Sequence, residues 1–202
     1  GALVSKALVD ASQKHLKEGG LFHAEAFDPQ HARSVPRIVF CEGFRVKDNS
    51  SFSALPFAPV RGEIIELADD RTEFLNGGTW LLPREPGQAL AGSTFDWNGL
   101  ESGPTDLGTK KILEGLHYLK GSKPSVTGRR SGVRPGTRDR MPIMGTHPKN
   151  SSMSIFNGFG SRGGTLIPLC AEIFAEYLLE DNPLPEELDL RRFPEANSLP
   201  SQ

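Results

Sequence analysis

Residues 157–165 read Asn-Gly-Phe-Gly-Ser-Arg-Gly-Gly-Thr, and they constrain the fold more than any other stretch. Four glycines in seven positions form a turn where the backbone can take positive φ or come close to a ligand. Ser154, Ile155 and Phe156 ahead of it read as a short strand. Behind it, Leu166, Ile167, Leu169, Ile173, Phe174, Tyr177 and Leu178 recur at helical spacing with a thick apolar face. A strand, a glycine turn and a helix N-terminus make a place to hold an electron-rich or anionic group, because free N–H groups and the positive end of the helix dipole point the same way. Pro168 is expected in the first helical turn, where a missing N–H costs nothing.

The rest of the chain divides by pattern. Leu3, Val4, Ala7, Leu8, Ala11 and Leu16 predict an amphipathic helix over 2–18, stopped by Gly19-Gly20. Residues 21–27 alternate weakly and are expected as a strand. The apolar run 37–41, ending at Glu42-Gly43, suits a strand buried on both faces of a parallel sheet, with Gly43 at its ligand-facing carboxyl end. Residues 44–58 read as irregular. From 60 to 95 three strands are expected, at 62–67, 79–83 and 89–95. Asn76-Gly77-Gly78 and Pro86-Gly87 separate them as in an antiparallel meander. Residues 105–120 return to helix, with Leu107, Ile112, Leu113, Leu116 and Leu119 on one face. The proline-rich, acidic tail after Asn182 is expected to wrap the surface. The expected fold is mixed, α+β or α/β: an α/β layer with an antiparallel-sheet unit inserted at 60–128. Residues 1–59 and 129–193 form the layer, and 194–202 a tail.

Composition excludes some function classes. With 23 basic and 25 acidic side chains the net charge is −2, which makes no electrostatic case for nucleic acid or an anionic membrane. No run of about 18 apolar residues is present and the N-terminus lacks a signal-peptide core. Cys41 and Cys170 are expected as two buried free thiols in a reducing cytoplasm.

Few residues carry obvious chemistry. The five histidines are scattered without metal-ligand spacing, and no serine sits in a G-x-S-x-G elbow. Trp80 and Trp97 read as sheet-face packing or as the lining of a substrate pocket. Arg129, Arg130, Arg134, Arg138 and Arg140 crowd one segment. An arginine beside a structured turn can clamp a carboxylate with two parallel N–H bonds. The alternative is that these arginines pair with Asp139 and surface glutamates.

In order, the segments VFCEG, VRGEIIEL, WLLP, ALAGSTFDW, GVRPGTRDRMPIMG and FNGFGSRGGTLIPLCAE resemble the FAD-dependent amine and amino-acid oxidoreductases of the D-amino-acid oxidase and glycine oxidase superfamily. Ser161-Arg162-Gly163 is similar to the FAD-containing half of the bifunctional enzymes that modify the tRNA wobble uridine. The resemblance implies that Arg134 grips a substrate carboxylate and that Arg162 is a second substrate-facing residue. It implies that Gly43, Phe159, Gly160, Ser161, Gly163, Gly164 and Thr165 lie against the flavin, where backbone N–H groups steady charge at its pyrimidine end. Residues 60–128 would then be a substrate domain.

Family members open with a strand and a G-x-G-x-x-G turn for the FAD diphosphate, followed by an acidic residue for the ribose. This sequence has no such unit, because its Gly158–Gly163 match follows the wrong strand. The chain is therefore expected to be the C-terminal part of such an enzyme and to retain FAD poorly alone. It would dock with a missing FAD-binding half or with itself. The implied activity is oxidation of a C–N bond in an amino acid or related amine by hydride transfer to flavin. The alternatives are a non-catalytic docking subunit and a tRNA-modification oxidoreductase.

Overall fold

The computed structural model describes residues 5–27, 35–121 and 124–200. In chain order the first elements are α1 (Ser5–Glu18), β1 (Ile38–Phe40), β2 (Val60–Ala68), β3 (Leu75–Asn76), β4 (Trp80–Pro83) and β5 (Gln88–Gly92). They are followed by α2 (Asp106–Gly115), β6 (Ser125–Arg134), β7 (Ile143–His147), β8 (Asn150–Asn157) and α3 (Gly163–Glu180). The chain forms two compact units, residues 57–140 and the two flanking segments together.

In the flanking unit β1 runs parallel to β8, and β8 pairs antiparallel with β7. Met144, Phe159, Cys170, Phe174, Leu184 and Leu188 make a core beneath α3. Several expectations change here. Strand β1 has one strand neighbour among the described residues, so Val39 stays 37% exposed and the strand is not buried on both faces. Cys41 follows it into solvent, whereas Cys170 is buried and both thiols are free. Residues 21–27 form no strand, their alternation being too weak to find a ladder partner. Residues 43–48 form a 3-10 helix within the segment expected to be irregular.

The tail is not a surface wrap. Leu184, Leu188, Leu190, Phe193, Ala196 and Leu199 are all buried, and the Met144 N–H donates to the Leu188 carbonyl at 2.8 Å. The acids and prolines dominate its composition, but its leucines decide its place. Helix α3 starts at Gly163, so Pro168 lies beyond the first turn and withholds the N–H that would bond the Gly164 carbonyl.

The inserted unit is a five-stranded antiparallel sheet in the order β3-β4-β5-β2-β6. Its β3-β4-β5 portion is the expected meander, but β2 sits between β5 and β6. Residues 129–140, expected with the flanking layer, belong to this unit because β6 runs to Arg134 along β2. Ile65, Leu67, Leu81, Ala89 and Ala91 pack against Ile112 and Leu116 of α2. Leu107 and Leu113 of the expected apolar face are exposed, because α2 presents Gly108, Thr109 and Ile112 to the sheet instead.

Candidate functional site

The glycine turn is held by one side chain. Asn157 is buried at the carboxyl end of β8, and its Nδ2 donates to the Gly43 carbonyl at 2.8 Å. Its Oδ1 accepts the Gly158 N–H, also at 2.8 Å. The carboxyl ends of parallel strands β1 and β8 are thus stitched together, with the glycine turns beside the stitch. Gly43, Gly158 and Gly160 all have positive φ (59°, 83° and 55°), which explains glycine at each.

A 3-10 turn over Gly160–Arg162 leads into α3. The helix receives no capping side chain and has no acidic residue in its first turn. Thr165 Oγ1 turns back to the Arg162 carbonyl at 3.0 Å and so caps no N–H. Ser161, Arg162, Gly164 and Thr165 are exposed, and Gly163 is half-buried. Phe159 is buried against Phe156 at 4.7 Å between ring centroids, so only its backbone can serve a ligand. Arg162 Nη2 lies 3.7 Å from Met141 Sδ.

Arg134 lies in the other unit, at the end of β6. Its Nη2 donates to Ser93 Oγ at 2.8 Å and its Nη1 to the Thr94 carbonyl at 3.2 Å. Its guanidinium sits 4.6 Å over the Phe95 ring. These partners are neutral. Burial lowers its pKa from the ordinary arginine value by disfavouring the charge. Its neighbours behave otherwise: Arg129 pairs with Asp106, and Arg130 with Glu66. The surface-pairing alternative therefore describes those two arginines and not Arg134.

Sequence reasoning missed a buried pair on β2. Arg61 and Glu63 are 4% and 2% exposed, and Arg61 Nη2 lies 3.1 Å from Glu63 Oε1 and 3.0 Å from Asp96 Oδ2. Glu63 also accepts the Thr105 N–H at 2.8 Å and its hydroxyl at 2.9 Å. The signal, overlooked in the sequence, was that Arg61 and Glu63 fall in the same alternation as Ile65 and Leu67, the apolar residues of β2 that face α2, whereas Glu66 falls in the other. A cavity of about 190 Å³ on this face is lined in part by Glu63, Asp96, Thr105 and Lys111. Trp80 is half-buried in β4, whereas Trp97 is 68% exposed and packs no sheet face. No cluster of metal-ligating side chains occurs, and no helix is long and apolar enough to cross a membrane, among the described residues.

The family model described as FAD dependent oxidoreductase (DAO) matches residues 8–177. The chain belongs to that family. Glycine oxidase of Pseudomonas putida is 28% identical over 138 residues, covering 64% of this chain and 37% of that protein. The tRNA 5-methylaminomethyl-2-thiouridine biosynthesis bifunctional protein MnmC of Idiomarina loihiensis is 28% identical over 197 residues, 86% of this chain and 32% of that protein. The iminodiacetate oxidase of Chelativorans sp. BNC1 has the same fold with a TM-score of 0.61 at 21% identity, over 76% of this chain and 45% of its own. The chain thus spans about a third of the length of the curated relatives it matches.

Within an FAD-dependent family, the start of α3 fits the electron-rich end of a flavin. It is uncapped, free of acids and preceded by positive-φ glycines. The diphosphate and adenosine have no matching G-x-G-x-x-G unit in this sequence.

Proposed function

We propose that this chain is the substrate-domain-bearing portion of an FAD-dependent oxidoreductase that oxidises a C–N bond of an amino acid or related amine. The observation that carries the reading is Arg134, a half-buried guanidinium with neutral partners. A carboxylate arriving there meets a cation that is already partly desolvated and held by a hydroxyl, a carbonyl and a ring. When bound, FAD supplies the two-electron acceptor for such a reaction. The chain's own part is positioning and electrostatics: Arg134 orients the carboxylate, and Arg162 is a second substrate-facing cation. The backbone of Gly43, Phe159, Gly160, Ser161, Gly163, Gly164 and Thr165 steadies the cofactor ring.

The dinucleotide contacts come from a unit outside these 202 residues, and FAD is retained poorly without it. Docking is supported by the edge strand β1 and by α1, which buries no residue and exposes Leu8 and Val9. A second copy of the chain is the alternative occupant, and a purely docking, non-catalytic role is the alternative function. The two free thiols support a reducing, cytoplasmic compartment.

The test titrates the protein with glycine and with methylamine, which lacks the carboxylate. Glycine is expected to bind and methylamine not. Arg134→Met is expected to weaken glycine binding by about 1.5–3 kcal/mol, tenfold to more than a hundredfold. Equal binding by the variant sinks the clamp.

A second reading, oxidation of an amine carried on tRNA, is supported by the long match to the MnmC relative. The net charge of −2 opposes it. Salt-dependent tRNA binding by the complete protein would revive it.

A further inference from the structure

We propose that Arg61, Glu63 and Asp96 form a positioning network that sets the Arg134 guanidinium from the opposite face of β2. The inference rests on the reading of Arg134 as a carboxylate clamp but is read out at Arg134 itself.

Faces alternate along β2. A Cβ built on Gly62 would overlap the Arg134 guanidinium, whereas the Glu63 carboxylate lies against Gly108 of α2. Arg61 and Glu63 therefore point away from Arg134, and nothing in the network touches it directly. The link is the strip Ser93–Asp96, which leaves β5 and runs beside β2. On one side it is bonded to both residues of the pair. Arg61 N–H donates to the Asp96 carbonyl at 2.8 Å and Asp96 N–H to the Arg61 carbonyl at 2.9 Å. Thr94 N–H donates to the Glu63 carbonyl at 3.2 Å, and the Glu63 N–H donates to Thr94 Oγ1 at 2.9 Å. On its other side the same strip supplies the Ser93 hydroxyl, the Thr94 carbonyl and the Phe95 ring that hold the Arg134 guanidinium.

The side chains then fasten the strip. Arg61 Nη2 bridges Glu63 and Asp96, and Nη1 donates to the Gly103 carbonyl at 3.2 Å. Glu63 in turn takes both Thr105 donors, fixing the start of α2. Two charges this deeply buried are a costly way to stabilise a sheet, since an apolar pair of similar volume does as well or better. They do locate the strip's backbone at a definite height, and with it the three groups that hold Arg134.

The experiment follows the Arg134 Nε–H resonance and its hydrogen exchange in the full chain, without ligand, alongside glycine titration. Asp96→Asn removes the charge of the one half-exposed member while keeping its shape. Arg61→Met with Glu63→Gln removes the buried charges together, so that neither is left unpaired. In both, the Arg134 signal is expected to shift and exchange about tenfold faster or more, with glycine binding weakened by about tenfold and the thermal midpoint of Asp96→Asn within a few degrees of the parent. Restoration by Asp96→Glu adds support. An unchanged Arg134 signal in folded Asp96→Asn and in the folded double variant overturns the proposal. Glycine binding that survives Arg134→Met sinks the clamp reading instead and leaves the resonance test standing.

Discussion

Gly62 and Arg134 share one space: the guanidinium of Arg134 lies where a side chain at residue 62 would be. Gly62 faces Gly132 of β6 in the ladder, and its φ is not left-handed, so glycine there answers a need for room. The obstructing group is the end of a flexible side chain, which can move aside without disturbing the sheet.

Gly62→Ala is accordingly expected to fold as well as the parent. Removing a strand-interior glycine is worth about 0.5–1 kcal/mol of stability. The same variant should displace Arg134 and weaken glycine binding by about tenfold. Denaturant midpoints and calorimetric titration measure the two effects, which move in opposite directions. A parallel fall in both would make Gly62 structural.

Asn157→Ala leaves the Gly43 carbonyl and the Gly158 N–H without their partner. A buried polar group so orphaned costs about 1–3 kcal/mol. Urea unfolding should show that loss, and amide exchange should quicken at Gly158 and through the glycine turn. Stability equal to the parent would mean that the stitch is dispensable.

Thr105 caps α2 by accepting the Gly108 N–H at 2.9 Å, and the same hydroxyl donates to Glu63 at 2.9 Å. Thr105→Ala should cost about 1–2 kcal/mol, while Thr105→Ser recovers most of it. Failure of serine to rescue would point to the threonine methyl rather than the cap.

His147 is buried on β7 against Phe52, and burial, with Lys149 nearby, holds its pKa below the ordinary 6.5. The unfolded chain therefore takes up this proton at a higher pH than the folded chain. The stability it contributes is present above about pH 6.5 and is lost as pH falls through the lower folded value. Urea midpoints for the parent and His147→Gln should converge as the medium is acidified across that window. Curves that stay parallel would remove His147 from the pH response.

Residues 166–179 were legible as a helix because their apolar spacing is local, and the glycine turn ahead of them because glycine is a backbone statement, but the helix starts three residues earlier, at Gly163. Strands β2, β4 and β5 were legible as runs between turn formers. Strand β6 was not: Ser125–Arg134 is polar and glycine-containing, and its strand character comes from lying along β2 rather than from its own side chains. The Arg61–Glu63 pair was half-legible: its phase with Ile65 and Leu67 is local, but its partners Asp96 and Thr105 come from remote segments.

The sequence by itself determined much of the local geometry, namely where glycines turn the chain and where apolar spacing makes helices, and, through ordered motifs, the family of FAD-dependent oxidoreductases. The resemblance singled out Arg134, but the physical difference between it and the other arginines of its segment is visible only in the tertiary structure. Charge in a sequence is the same for all of them. Burial and partners differ, and these arise when Ser93, Thr94, Phe95 and Gly62 are brought to one guanidinium from strands remote in sequence.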